Sequence, residues 1–382
     1  MDLRAQHDEL RSQIDAAICG AIDTSDFIGG QTVERFESDF ARYLGVPHVV
    51  GTSSGTDSLY LVLRALGVGR GDVVVTVPNT FFASVEAVLQ TGAEPRFIDA
   101  EADYLQMSPD GLEEFLSARC RRAGGDLREL GSGLRVAAVM PVHLYGLSVD
   151  MATIVDIANR YGLPVVEDAC QAHGAMYERD GQWISLGQES DAACFSFYPG
   201  KNLGAIGDAG AVATVDGDLA RRLRMLRDHG QDARYHHVET GTNARLDAIQ
   251  AAVLTVKLGK LEEWNGLRRE AASWYQSQLA SMPLRLPEEP AHRRHVYHLY
   301  VIRHQHRDEL QRALTDEGIG SGLHYSVPLH LQPALSYLEL GEGTFPVAER
   351  ACREVLSLPM YPHISRDQIG YVVQAIKGVM AA

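Results

Sequence analysis

Apolar, strand-like runs at 73–77, 94–98, 136–141, 164–167, 192–197 and 210–215 alternate with helix-patterned segments near 81–91, 110–121, 150–161 and 218–228. No other feature restricts the fold so strongly. Strands that are apolar along their length must be covered on both faces, and intervening helices do this for a mainly parallel sheet. The chain is therefore expected to be α/β, with a mainly parallel central sheet flanked by helices. Its 382 residues suffice for two domains. The expected division is a large domain over 1–250 and a smaller C-terminal α+β domain over 251–382. In the second, 298–302 and 322–325 read as strands, and 307–317, 346–354 and 366–379 as helices. One long helical stretch from about Asn243 past Trp274 links the two, and 119–133 and 178–189 read as exposed loops.

In such a sheet, functional groups collect beyond the carboxyl ends of strands. Lys201 stands there, in a Pro199-Gly200-Lys201-Asn202-Leu203-Gly204 turn that follows the run ending at Phe197. A lysine held in a fixed, aromatic-flanked turn can be desolvated, and a desolvated amine is a nucleophile able to form a Schiff base. The bland alternative is a surface-loop lysine. Glu167 and Asp168 close the run that starts at Pro164. An acid at the end of one strand and a lysine at the end of another match the needs of pyridoxal phosphate, whose aldehyde takes the lysine and whose ring nitrogen takes a carboxylate. Asp168 is preferred as that carboxylate because Glu167 directly follows the apolar pair and is expected to face the other way; Glu167 as the partner, or both acids as metal ligands, are the alternatives. A third piece is His48-Val49-Val50-Gly51-Thr52-Ser53-Ser54-Gly55-Thr56, a strand and small-residue turn before a helical pattern. Helix starts of this kind bind phosphate through free amides, with Ser54, Gly55 and Thr56 as its lining; ordinary N-capping by Ser54 is the alternative.

These motifs resemble the DegT/DnrJ/EryC1/StrS sugar aminotransferases. The resemblance extends through Asn79-Thr80-Phe81-Phe82-Ala83-Ser84, Val142-His143-Leu144-Tyr145-Gly146, Glu167-Asp168-Ala169-Cys170-Gln171-Ala172-His173-Gly174, Arg227-Asp228-His229-Gly230 and Gly241-Thr242-Asn243-Ala244-Arg245-Leu246-Asp247. It implies the fold-type I aminotransferase fold and pyridoxal 5′-phosphate as cofactor. It makes Lys201 the Schiff-base lysine and Asp168 the partner of the pyridinium. It puts Phe81 over the ring, Gln171 near the phenolic oxygen, and Ser54, Gly55, Thr56 and Ser196 at the phosphate. Asn243 would reach the phosphate of a neighbouring subunit, which implies a homodimer with shared active sites; capping of its own helix is its alternative. His324, Tyr325 and His330 resemble the segment facing the sugar nucleotide. The stretch 199–210 resembles enzymes acting at C3 of a nucleotide-linked 3-keto-6-deoxysugar, with L-glutamate as donor. Action at C4 or on a keto-cyclitol is the alternative. A histidine would replace Lys201 in the dehydratases of the family. A sensor or scaffold without turnover is the reading from another class.

Composition excludes some partners. A net charge of −15 argues against nucleic acid. It also requires local cations for an anionic diphosphate, with Arg35, Arg293 and Arg294 as candidates. The five cysteines are scattered without a CxxC, so no metal site is expected, and a reducing cytoplasm suits them. No apolar run approaches the roughly 20 residues of a membrane span.

Overall fold

The computed structural model describes residues 2–381. Its centre is a sheet in the order His48–Thr52, Gly210–Thr214, Ala192–Ser196, Val166–Asp168, Arg135–Val139, Asp72–Thr76, Glu94–Phe97. Parallel bridges from Val139 to Val165 and from Val142 to Asp168 join its two halves. Gly210–Thr214 runs antiparallel to both of its neighbours, and the other pairings are parallel. Asp72–Thr76 and Gly210–Thr214 are buried at every position, as two-sided covering demands.

The covering helices start and stop where local chemistry says they should. Ser54, Ser108, Asp150 and Asp216 each accept a first-turn N–H through the side chain. Gly92 and Gly162 end Ala83–Thr91 and Met151–Tyr161 in the left-handed conformation. One core lies on one face of the sheet, around Phe36, Phe40, Phe195 and Phe197. A second lies on the other face, around Leu59, Val62, Val74 and Val212.

The smaller unit has its own core, built from Leu261–Leu279, Arg307–Asp316, Arg366–Ala381 and the antiparallel pair Tyr300–Arg303 and Val355–Leu358. The expected 250/251 boundary falls inside the Ala248–Leu258 helix, whose Ala251 and Leu254 pack in the large core. The segment expected as one long helix is two, Ala248–Leu258 and Leu261–Leu279. Residues 322–325 form no strand; only Gly322 bridges, to Ser357.

Both expected loops are hairpins. Cys120–Ala123 pairs with Asp126–Glu129, and Met176–Arg179 with Gln182–Ser185. Their two-residue turns, Gly124-Gly125 and Asp180-Gly181, have positive φ at both positions, which is what a tight hairpin requires. Those Gly-Gly and Asp-Gly pairs were the signal in the sequence. Among the described residues no helix is long and apolar enough to cross a membrane.

Candidate active site

The carboxyl ends of the central strands open into a cavity of about 770 Å³. Its lining includes Ser54, Gly55, Thr56, Phe81, Asp168, Gln171, Ser196, Lys201, His324 and Tyr325. The lysine turn is built tightly. Phe197 N–H donates to Ala209, Ala205 N–H to Phe197 and Lys201 N–H to Tyr198, at 2.7, 2.8 and 2.9 Å. A Cβ on Gly204 would lie 2.3 Å from the Pro199 carbonyl oxygen, so only glycine closes the turn this way. Buried Lys257 donates to the Gly204 carbonyl at 2.7 Å and holds the turn from below. Burial lowers the pKa of Lys201, opposed by the nearby Cys170 and Asp168. A lower pKa means a larger fraction of nucleophilic amine.

Strand alternation separates the two acids. Glu167 points into the core, where it accepts from Gly187 N–H at 2.8 Å and Ser190 at 2.5 Å and bonds His143 Nε2 at 2.7 Å. Asp168 faces the cavity. Its Oδ2 accepts from Ser84 Oγ at 2.7 Å and its Oδ1 from Cys170 N–H at 3.2 Å. These donors fix the orientation of the carboxylate.

At the start of Gly55–Ala65, Ser54 Oγ accepts from Asp57 N–H at 3.0 Å and donates to the Asp57 carboxylate at 2.9 Å. The hydroxyl is thus spent on the cap. The first-turn N–H groups of Gly55 and Thr56 have no intrahelical acceptor and face the anion-binding end of the helix. A Cβ on Gly55 would come within 2.6 Å of Ser196 Cβ and 2.8 Å of Cys170 Sγ, so a larger residue could not sit there unless these neighbours moved. Phe81 is 55% exposed at the cavity, its ring 5.6 Å from that of Tyr325, while Phe82 packs in a neighbouring cluster. Gln171 Oε1 accepts from Tyr145 N–H at 2.8 Å, and its Nε2 donates to Tyr325 OH at 3.2 Å. His324 Nδ1 lies 2.8 Å from Ser357 Oγ.

His330 and Asn243 do not line this cavity; for Asn243 the expected site is that of a neighbouring subunit. His330 is buried, 3.1 Å from Glu349 and edge-on to Phe345, and does not line the cavity. It fastens the segment after the His324-Tyr325 pair to the Pro346–Glu354 helix. Asn243 is exposed in an extended segment bridged to Asp228. It does not cap a helix: Asp247 stands at the N-cap position of Ala248–Leu258.

The three arginines proposed for a diphosphate are also elsewhere. Arg35 is exposed beside Asp39, and Arg294 is exposed. Arg293 is buried, with its guanidinium 4.4 Å from the Tyr104 ring centre. Lys201 is the sole Lys or Arg among the described lining residues. The sequence reading did not single out Ser84, His298 or Ser321. Ser84 reaches Asp168 across 84 positions. His298 and Ser321 line the cavity from the C-terminal part of the chain, and Ser321 Oγ is buried with no hydrogen-bond partner among the described residues. Ser84 closes the 79–84 motif, but nothing local gives its partner, and no local pattern marks the other two.

The arrangement can hold an anionic group at Gly55 and Thr56, a cationic ring nitrogen at Asp168 and a carbonyl carbon at Lys201. The family model described as "DegT/DnrJ/EryC1/StrS aminotransferase family" matches residues 8–377. A dTDP-3-amino-3,4,6-trideoxy-alpha-D-glucose transaminase of Streptomyces venezuelae is 44% identical over 378 residues, covering 99% of this chain and 94% of the relative. The structure of S. venezuelae DesV in complex with a ketimine intermediate superposes with a TM-score of 0.91 at 43% identity, covering 99% of this chain and 96% of that one. NtdA from Bacillus subtilis with bound cofactor PMP superposes with a TM-score of 0.85 at 30% identity, covering 98% and 82%.

Proposed function

The chain belongs to the DegT/DnrJ/EryC1/StrS aminotransferase family, and from that premise we propose that it moves an amino group from L-glutamate to C3 of a dTDP-linked 3-keto-6-deoxyhexose. It is a pyridoxal 5′-phosphate-dependent nucleotide-sugar aminotransferase. One observation carries the reading: Lys201, Asp168 and the start of the Gly55–Ala65 helix face one cavity. The similarity to a 3-amino-sugar transaminase runs the length of the chain and favours C3.

When bound, the cofactor supplies an aldehyde that carries the amino group and a ring that takes up the electron pair of a broken C–H bond. The residues do the rest. Lys201 would hold the aldehyde carbon through Nζ. Once displaced by the donor, its amine would take the proton from the donor's α-carbon and return one in the sugar half-reaction. That double use needs the lowered pKa that burial gives it. Asp168, held in place by Ser84 and the Cys170 N–H, would pair with the ring nitrogen. Gly55 and Thr56 N–H groups and Ser196 Oγ would hold the phosphate. Phe81 would cover the ring, and Gln171 would offer its remaining amide hydrogen to the phenolic oxygen. His324 and Tyr325 face the sugar.

The working form is a homodimer. Phe27, Ile28, Tyr198 and Ile206 expose large apolar side chains. Residue 28 bridges to Asp247 and Ile206 N–H bonds Gln250, so part of this apolar surface lies by the segment that carries Asn243. The partner's Asn243 completes the phosphate site. A cytoplasmic location keeps the five free cysteines reduced.

The test is product analysis. Holoenzyme is incubated with L-glutamate and a panel of dTDP- and UDP-linked 3-keto and 4-keto sugars and keto-cyclitols, with mass analysis of each product. A 3-amino sugar together with 2-oxoglutarate is expected. Amination of the 4-keto sugars or keto-cyclitols alone would move the reaction away from C3.

A further inference from the structure

Three imidazoles, those of His173, His298 and His324, lie near enough to Lys201 for its charge to add to burial in lowering their pKa. His298 is set apart by a chain of amides that fixes its tautomer. Asn265 Nδ2 donates to the His173 carbonyl at 2.8 Å, so Asn265 presents Oδ1 to Asn202. Asn202 Nδ2 donates to that Oδ1 and to the Val296 carbonyl, each at 2.9 Å. A carbonyl can only accept, so the Asn202 amide has one orientation. Its Oδ1 is left facing His298 Nδ1 at 3.2 Å. That oxygen also only accepts, and Nδ1 therefore carries the ring proton. Burial, then Lys201 and Arg268, holds the ring neutral. Nε2 is left as an acceptor with no hydrogen bond among the described residues, on a ring that lines the same cavity as Lys201.

A fixed acceptor in that place discriminates by chemistry. A carboxylate offers only lone pairs and is repelled; a hydroxyl offers a proton. The two substrates that use the cavity in turn differ in this respect. An acidic amino donor brings carboxylates, and a keto-sugar brings ring hydroxyls. We propose that His298 is a substrate-contacting residue whose Nε2 accepts a hydrogen bond from a ring hydroxyl of the keto-sugar, so that it serves the sugar half of the reaction and not the donor half. Asn202, next to Lys201 in the chain, and Asn265 are the positioning residues that hold the ring in this state. The inference rests on the sugar-aminotransferase reading above.

Two variants separate the nitrogens. In His298→Asn the amide nitrogen falls near the place of Nδ1 and can still bond Asn202, but nothing reaches the place of Nε2. In His298→Gln the amide oxygen reaches that place. The half-reactions are followed separately on the holoenzyme by the cofactor's absorbance, with L-glutamate and then with a dTDP-3-keto-6-deoxyhexose. Unfolding midpoints establish that each variant is folded. For His298→Asn the expected kcat/KM for the sugar falls by about 10- to 100-fold, since the sugar hydroxyl loses this acceptor. The donor half-reaction should change by less than about threefold, on the order of half a kilocalorie. His298→Gln should recover part of the sugar rate. Equal losses in both half-reactions would place the ring on Lys201 or on the donor's amine and overturn the proposal, as would an unchanged sugar rate. A wild-type protein that aminates no nucleotide sugar would remove the functional reading itself, and this proposal with it.

Discussion

Replacing Ser84 by alanine tests how the site keeps Asp168 ready. Ser84 Oγ is buried and donates to Asp168 Oδ2 at 2.7 Å. Asp168 Oδ1 keeps its bond from Cys170 N–H in the variant, so one donor of two is lost. A hydrogen bond to a charged group contributes about 1.5–3 kcal/mol, or about 10- to 150-fold in an equilibrium or rate. The loss should appear where the Asp168 carboxylate acts, in retention of the cofactor and in α-proton removal. Fold stability should change little, because the deleted hydroxyl leaves no large cavity and Thr80 Oγ1, 3.1 Å from Ser84 Oγ, has the cavity beside it. The assay has two parts. Titration of the apoprotein with pyridoxal phosphate gives the dissociation constant, and stopped-flow absorbance with L-glutamate gives the rate of the donor half-reaction. The product of the two effects should lie within the stated range. If both quantities stay within twofold of wild type, Ser84 does not support the carboxylate and the account of Asp168 is wrong.

Lys201→Ala should remove transamination without unfolding the protein, and borohydride reduction of the wild type should leave the cofactor on Lys201; a label mapped to any other lysine refutes the assignment. Gly204→Ala forces a Cβ to within 2.3 Å of the Pro199 oxygen, so it should lower stability by about 1–3 kcal/mol and weaken cofactor binding together; an unchanged melting temperature would mean that the turn is looser than described. Mixing Lys201→Ala with Asn243→Ala protein should restore part of the activity, because one site of the hybrid carries neither defect; no recovery after proven subunit exchange, from an inactive Asn243→Ala parent, would put Asn243 at its own subunit's site. Lys257 has a folded-state pKa lowered by burial to about 8. Above that pH the native state has lost a proton that the unfolded chain keeps up to about 10.4, so this group adds stability as pH rises through that window. The melting temperature of wild type minus that of Lys257→Met should therefore climb from pH 8 to 10; a flat or falling difference contradicts the assignment.

What the sequence determined by itself is what lies in short stretches. The run at 164–168 and the strand period are enough to send Glu167 and Asp168 to opposite faces, and the structure puts Glu167 against His143 and Asp168 at the cavity. The helix start at Ser54 and the turn around Lys201 were legible because their geometry depends on neighbours in the chain. The hairpins at 120–129 and 176–185 were equally local, yet both stretches were expected to be loops, because the Gly-Gly and Asp-Gly turns were not weighed as hairpin turns. Tertiary structure alone decided the rest. Ser84 meets Asp168 across 84 positions, and Asn202 meets His298 across 96. Such pairs leave no periodic trace, since they depend on where two distant strand and helix ends meet in space. The same reason explains His330. The local motif grouped it with His324 and Tyr325, but packing against Glu349 and Phe345 turns it into the core. A side chain's chemical type is written in the chain, whereas the cavity it faces is set by contacts between segments that the chain order keeps far apart.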